Sequence, residues 1–266
     1  MSAEAVLGAS GITKSFGGIR ALDQVSLSIR AAQVVGLIGP NGSGKSTLLN
    51  VISGSLAMDS GTVTLQDEDL THRAAYQRAS LGIGRSFQHP RILSDYTLLE
   101  NVLIGTHVLG RHGLAAALVG GPITRREETS LRDAAMKALT FVGLERRAGV
   151  RGSQVTTGEA RLIGVARAIA SRPKVVLLDE PGAGLNSSET EFLRARLSDL
   201  RSQGLGLLLV DHDMSLVMGV ADHVVVLNQG QVIADGTPSH VQTNPAVLEA
   251  YLGRRGASKT LKEWLP

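Results

Sequence analysis

Apolar and polar residues alternate along Val25-Ser26-Leu27-Ser28-Ile29, the two-residue period of a strand covered on one face. A few residues later the pattern changes. Val34-Val35-Gly36-Leu37-Ile38 has no polar position, and so short and uniform a run predicts a strand covered on both faces. Residues 45–53 predict a helix, with Leu48, Leu49, Val51 and Ile52 apolar and Gly54 placed to end it. Gly61-Thr62-Val63-Thr64-Leu65 is a further strand candidate. From about 86 to 151 helical spacing dominates, most clearly over 128–142, and the Gly- and Ala-rich stretch 110–122 reads as a loop or weak helix. Beyond it the chain alternates helix (158–171), buried strand (175–178), helix (188–203) and strand (205–210), the βαβ rhythm of a parallel sheet. Val224-Val225-Val226-Leu227 and Val232-Ile233 flank Asn228-Gln229-Gly230-Gln231, a hairpin signal. Thr237-Pro238 and Asn244-Pro245 each set a capping residue before proline, so each marks a helix start.

Composition narrows this picture. The 266 residues suffice for one large domain, or for one with a sizeable insert. Aromatic residues are only 3%, so the core must be built from Val, Ile, Leu and Ala. Cysteine is absent, which excludes a disulfide scaffold and thiolate metal sites. A formal charge of +3 is too mild to imply a nucleic-acid partner, and none is expected. The first residues show no basic stretch leading into a long apolar run, so no secretory signal is expected, and no run reaches transmembrane length.

The chemistry concentrates in Gly39-Pro40-Asn41-Gly42-Ser43-Gly44-Lys45-Ser46-Thr47, which follows one predicted strand and opens one predicted helix. This is the phosphate-binding pattern G-x-x-x-x-G-K-[ST] in its proper setting. Glycines let backbone N–H groups converge on an anion, and the helix N-terminus adds partial positive charge. Lys45 supplies a point charge for β- and γ-phosphates, and the Ser46 hydroxyl can ligate Mg²⁺. Val175-Val176-Leu177-Leu178-Asp179-Glu180 ends a buried strand in two acids. Asp179 is placed to face the metal, and Glu180 to orient or deprotonate an attacking water.

Four further stretches fall in a fixed order around these two: Gln88 in Arg85-Ser86-Phe87-Gln88, then Val155-Thr156-Thr157-Gly158-Glu159, then Gly182-Ala183-Gly184-Leu185-Asn186, then His212 in Val210-Asp211-His212-Asp213. Together they resemble the Q-loop, signature, D-loop and switch histidine of the ATP-binding cassette (ABC) ATPases. The resemblance runs over about residues 6–253. It implies an α/β fold: a P-loop cassette with a mixed RecA-like core sheet, an N-terminal antiparallel β subdomain and an inserted helical subdomain at about 86–160. Residues 1–253 are then one domain and 254–266 a tail, where Leu261, Trp264 and Leu265 are candidates for docking on a neighbour.

The resemblance also implies roles. Glu180, His212 and Gln88 are expected to be catalytic, and Ser46, Gln88 and Asp179 to hold Mg²⁺. ATP is expected to rest on Gly39 to Thr47, with Phe16 stacked on adenine. Thr156, Thr157, Gly158 and Glu159 are expected to reach the γ-phosphate of a nucleotide held by a second ATPase subunit, like or unlike. The signature departs from the usual LSGGQ, since Thr157 carries a Cβ where glycine is common, and Asn186 stands where the D-loop usually has Asp. A weaker composite site beside a different subunit is therefore one expectation, and harmless drift the other.

For transport such a chain docks on permease subunits at the cytoplasmic face of the membrane. Phe87, His89, Pro90, Arg91, Ile92 and Leu93 are the candidate contacts. Thr97-Leu98-Leu99-Glu100-Asn101-Val102, the stretch from Asp211 to Met218 and the one from Asn244 to Gly253 look like the ATPases of branched-chain amino acid importers, which also use an extracytoplasmic binding protein. Urea and lipid or lipopolysaccharide transporters have similar ATPases, so cargo rests on analogy. A soluble cassette ATPase of translation or repair would typically carry two cassettes or a long coiled coil. A GTPase would need an N-K-x-D motif, and none is present.

Overall fold

The computed structural model describes residues 5–109 and 122–252. In chain order the elements are β1 (Ala5–Phe16), β2 (Ile19–Arg30), β3 (Val34–Ile38), α1 (Lys45–Ile52), β4 (Ser60–Leu65), β5 (Glu68–Asp69), α2 (Ala75–Leu81), β6 (Ile83–Arg85), α3 (Leu98–Leu103), α4 (Pro122–Phe141), α5 (Thr157–Ala170), β7 (Val175–Asp179), α6 (Ser187–Ser202), β8 (Gly206–Val210), α7 (Met214–Val220), β9 (His223–Asn228), β10 (Gln231–Gly236), α8 (Pro238–Thr243) and α9 (Pro245–Leu252). Short 3-10 turns lie at Ile104–Leu109, Glu145–Arg147 and Gly152–Gln154.

Two sheets organise the described residues. One is antiparallel, in the order β2-β1-β4-β5; the other has six strands, β10-β9-β3-β8-β7-β6. Within the larger sheet β9, β3, β8, β7 and β6 run parallel, and only β10 is antiparallel, joined to β9 by a tight turn. Gln229 and Gly230 both have positive φ (47° and 80°), which gives that turn the twist a hairpin needs.

The wholly apolar strands serve two cores at once. Val34 and Ile38 of β3, Val176 and Leu178 of β7, and Leu207 and Leu209 of β8 pack into the cluster shared with α3 to α7. Their neighbours Val35, Leu37, Val175, Leu177, Leu208 and Val210 pack on the other side, against α1 and the antiparallel sheet. Polar residues are excluded because successive side chains alternate faces and both faces are covered. The alternating stretch in β2 has one covered face only: Val25, Leu27 and Ile29 are buried while Ser26 and Ser28 are exposed. At Gly36 a side chain would strike α7, since an added Cβ would lie 2.6 Å from Val217 Cγ1.

The predicted helices and strands appear with small shifts at their ends. The helix expected at 158–171 begins at Thr157, because Thr156 caps it and accepts the Glu159 N–H at 3.2 Å. It continues unbroken to Ala170, so the insert boundary expected near 160 falls inside α5. Both Thr237 and Asn244 cap as expected, accepting from His240 and Ala246. The loop or weak helix expected at 110–122 lies outside the described residues up to 121, and Pro122 opens α4. Leu261, Trp264 and Leu265 also lie outside them. Four of the parallel strands carry the candidate chemistry just beyond their C-terminal ends, so it collects along one edge of the sheet.

Candidate functional site

The phosphate loop leaves β3 at Ile38 and enters α1 at Lys45. Gly44 takes the N-cap position with φ 108°, a conformation L-residues avoid, and an added Cβ would lie 2.6 Å from the Ala21 carbonyl oxygen. Gly39 is as constrained: at φ 151° its Cβ would lie 2.1 Å from the Leu227 carbonyl oxygen. No side chain caps α1, so its first N–H groups stay open to an anion. Lys45 Nζ donates to the Gly39 and Pro40 carbonyls at 2.7 and 3.0 Å, which folds the charge over the loop. A cavity of about 280 Å³ lies here, lined by Ala21, Asn41 to Thr47, Gln88 and Glu180. Pro40 contributes its carbonyl and Gly39 the turn behind it.

Glu180 follows β7 with φ 49°, rare for a side chain of this size and characteristic of residues held by their surroundings. Its N–H donates to the Val210 carbonyl at 2.7 Å. Gln88 Nε2 donates to Glu180 Oε2 at 2.6 Å, and His212 Nε2 lies 3.3 Å from the same oxygen. Three residues far apart in sequence thus meet at one atom. Asp179 is buried beside them, its N–H donating to Ser86 Oγ at 3.1 Å.

Burial sets the charges. It raises the Asp179 pKa above the usual carboxylate value, opposed by the Arg85 guanidinium and reinforced by Glu180. Burial lowers the pKa of Lys45, while Glu180 and Asp179 act to restore it. Opposite charges have therefore been withdrawn from water together, an arrangement that an incoming anionic phosphate and a divalent cation would rebalance.

The signature residues lie elsewhere. Thr156, Thr157, Gly158 and Glu159 open α5, and none of them lines the phosphate cavity. Thr156 and Glu159 satisfy each other as a capping box, and Arg147 pairs with Glu159. Thr157 occupies the first helical turn without positive φ, so nothing in its backbone demands glycine. Asn186 caps α6, accepting the Glu189 N–H at 3.0 Å, work that Asn does as well as Asp.

Phe16 stands exposed at the tip of the β1–β2 hairpin under Lys14, 5.6 Å from its ring centre; it does not line the phosphate cavity, though Ala21 of the same hairpin does. A second groove, about 500 Å³, is lined by Phe87, His89, Pro90 and Arg91 together with Tyr76 and Ile104. Ile92 packs on the core instead, and Leu93 is pinned through both backbone groups to Asn101, so these two are not groove residues.

Several residues near the site carried no sequence signal of their own. Arg85 backs Asp179. Asp211 accepts from the N–H groups of Gly182 and Asp213, at 2.8 and 3.0 Å, and so joins the loop after β7 to the loop after β8. Burial raises its pKa, opposed by those two N–H groups. Tyr251 of α9 meets the backbone of Gly39 and is itself raised by burial. The buried strand before Asp211 offered a hint, since a charge closing an apolar run must find a partner.

Comparison with known proteins accounts for this arrangement. The family described as ABC transporter matches residues 22–183, and the one described as Branched-chain amino acid ATP-binding cassette transporter matches residues 231–257. The chain is 39% identical over 249 residues to the high-affinity branched-chain amino acid transport ATP-binding protein LivG of Salmonella typhimurium, covering 93% of this chain and 98% of that one. A nucleotide-free ATP-binding cassette from an ABC transporter superposes with a TM-score of 0.82 at 34% identity, over 94% of this chain and 100% of that one. A dimeric post-hydrolysis cassette bound to ADP and Pi gives 0.75 at 26% identity, over 87% and 98%. A glycine-rich phosphate loop, a capped helix start at Thr156 and a pair of acids after a buried strand, in this order along the chain and on this sheet, are those of the ABC transporter family of ATP-binding subunits, ATPases that drive transport, and the chain belongs to it.

Proposed function

We propose that this chain hydrolyses ATP to power uptake of branched-chain or other hydrophobic amino acids, with each catalytic site completed by a second ATPase subunit. The observation that carries the chemistry is the meeting of Gln88 and His212 at one oxygen of Glu180, beside a loop open to phosphate. Lys45 and the loop N–H groups hold the phosphates, and Phe16 stacks on adenine. Ser46, Gln88 and Asp179 offer hard oxygen donors with one carboxylate, the small set that Mg²⁺ takes alongside phosphate oxygens and water. A Mg²⁺ ion held there would supply positive charge to neutralise the phosphoryl group being transferred. Glu180 accepts a proton from, or orients, the attacking water, while Gln88 and His212 keep its carboxylate aimed.

Thr156, Thr157, Gly158 and Glu159 of the second subunit face the γ-phosphate, which is why they lie away from this chain's own cavity. Nucleotide binding closes the pair, and loss of phosphate reopens it. Permease subunits dock in the groove around Phe87, at the cytoplasmic face of the membrane; no described helix is long and apolar enough to cross one. The cargo reading is supported by the match at residues 231–257 and by the similarity to LivG.

The deciding variant is Glu180→Gln. It is expected to bind ATP and trap a closed pair while turnover falls by about 10²–10⁴, the usual loss with a general base. Undiminished turnover overturns the assignment. A tagged pull-down from native membranes tests the partners: two permeases and a second ATPase are expected, and a chain found only free in the cytosol overturns the transport reading. Equal ATPase rates in a pure homodimer and in that complex count against an unequal pair of sites.

A further inference from the structure

One guanidinium joins three parts of the molecule. Arg85 closes β6, and its side chain is only 9% exposed. Its Nη2 donates to Asn50 Oδ1 at 2.8 Å, and its Nη1 to Ser53 Oγ at 2.5 Å, so it grips the last turn of α1 and the residue after it. The same Nη2 lies 3.6 Å from Asp179 Oδ2. Its Cζ sits 4.8 Å from the ring centre of Phe87, which is 55% exposed in the groove. Nε is buried and finds no hydrogen-bond partner among the described residues. Nothing in packing alone demands a charged group here, and an incompletely satisfied one is costly to bury. The chain around it is aimed at the same place. Ser86 receives the Asp179 N–H and Gln88 reaches Glu180, while the Phe87 ring between them lines the groove.

We propose that Arg85 is a positioning residue: it fixes the Asp179 carboxylate against the phosphate-binding helix and ties it to the Phe87 ring, so that displacement of that ring changes the affinity of the site for a divalent metal. The inference rests on the reading of Asp179 as facing the metal. Its physical basis is the rigidity of a forked donor. Arg85 holds Asn50 and Ser53 in a fixed fork and leaves Asp179 little freedom, which a lysine's single ammonium cannot reproduce. The ring adds a face-on cation–π contact that a partner in the groove can strengthen or break.

The test titrates Mn²⁺ into the full-length chain in the presence of ATP, following free and bound metal by electron paramagnetic resonance. ATP affinity in EDTA is measured alongside. Arg85→Met is expected to raise the half-saturating Mn²⁺ concentration by about 10–100-fold, the usual cost of losing a group that orients a metal's ligand, with metal-free ATP affinity kept within about twofold. Unchanged Mn²⁺ affinity overturns the proposal. So does an equal loss of metal-free ATP affinity, the signature of a merely structural role. Phe87→Leu keeps every polar contact of Arg85 and decides the matter if Arg85→Met does not fold. It is expected to shift Mn²⁺ half-saturation by about threefold, what a partly exposed cation–π contact is worth, and no shift overturns the proposal. Asp179→Asn separates the two readings. If it binds Mn²⁺ like the wild type, the metal reading fails and takes this one with it. If it is defective while Arg85→Met is normal, only the role of Arg85 fails.

Discussion

The phosphate loop and the signature stretch are both helix starts with a hydroxyl and glycine, yet they are built in opposite senses. Gly44 caps α1 with no side chain, and the nearest charge, Lys45, is folded onto the loop's own carbonyls. At α5 the cap is complete: Thr156 and Glu159 satisfy each other, and Arg147 holds Glu159. One helix start is left unfinished for a ligand. The other is finished locally and, in the function proposed above, meets its ligand only as a rigid surface presented to another subunit. A motif's residue types therefore do not say whether its donors are free; the hydrogen bonds do.

Four changes test that contrast, the largest effect first. Lys45→Ala removes the charge at the open start and should weaken ATP binding by about two orders of magnitude, as losing charge-assisted hydrogen bonds implies. Equilibrium dialysis with labelled ATP measures it, and wild-type affinity would break the contrast at once. Thr156→Ala deletes the cap at the closed start. It should cost about 1 kcal/mol in denaturant unfolding with no effect on ATP binding to the isolated chain, and Thr156→Ser should restore the stability.

The third change concerns pH. The folded-state pKa of Asp211 is raised by burial, so between the ordinary carboxylate value and that raised value the folded chain binds more protons than the unfolded one. Its contribution to stability therefore falls as pH rises through this window. Asp211→Asn cannot titrate. Unfolding midpoints of the two chains should show wild type gaining on the variant as pH is lowered into the window; a constant difference argues against the raised pKa. The smallest effect belongs to Thr157→Gly. Since Thr157 is helical, glycine should not raise the ATPase rate of the assembled complex, and stability should drop by a few tenths of a kcal/mol. A faster enzyme would show that the methyl-bearing signature does limit the reaction.

Contiguous chemistry was the legible part. The phosphate loop declares itself because nine neighbouring residues form one site, and Val175 to Glu180 because burial on both faces leaves only apolar residues before the acids. Gln88, Glu180 and His212 could be named from their order along the chain, though their meeting at Oε2 is set by the adjacency of β6, β7 and β8. The groove was half legible: Phe87, His89, Pro90 and Arg91 line it, while Ile92 and Leu93 turn inward because Asn101, fully buried, binds the backbone of Leu93, Tyr96 and Thr97. Illegible features have two causes. β6 is only three residues long, too short for any period to emerge. Arg85 acts through Asn50, Ser53 and Asp179, and Asp211 through Gly182, all tens of residues away, and no spacing encodes those pairings.

The hydrogen bonds from Gly182 and Asp213 to Asp211 have a consequence for timing. Gly182 begins the loop that leads to Asn186, and Asp213 follows His212. While both bonds hold, neither loop can shift without pulling on the carboxylate that the other shares. The two loops share one clock, and a chain that lost Asp211 would leave each free to keep its own time.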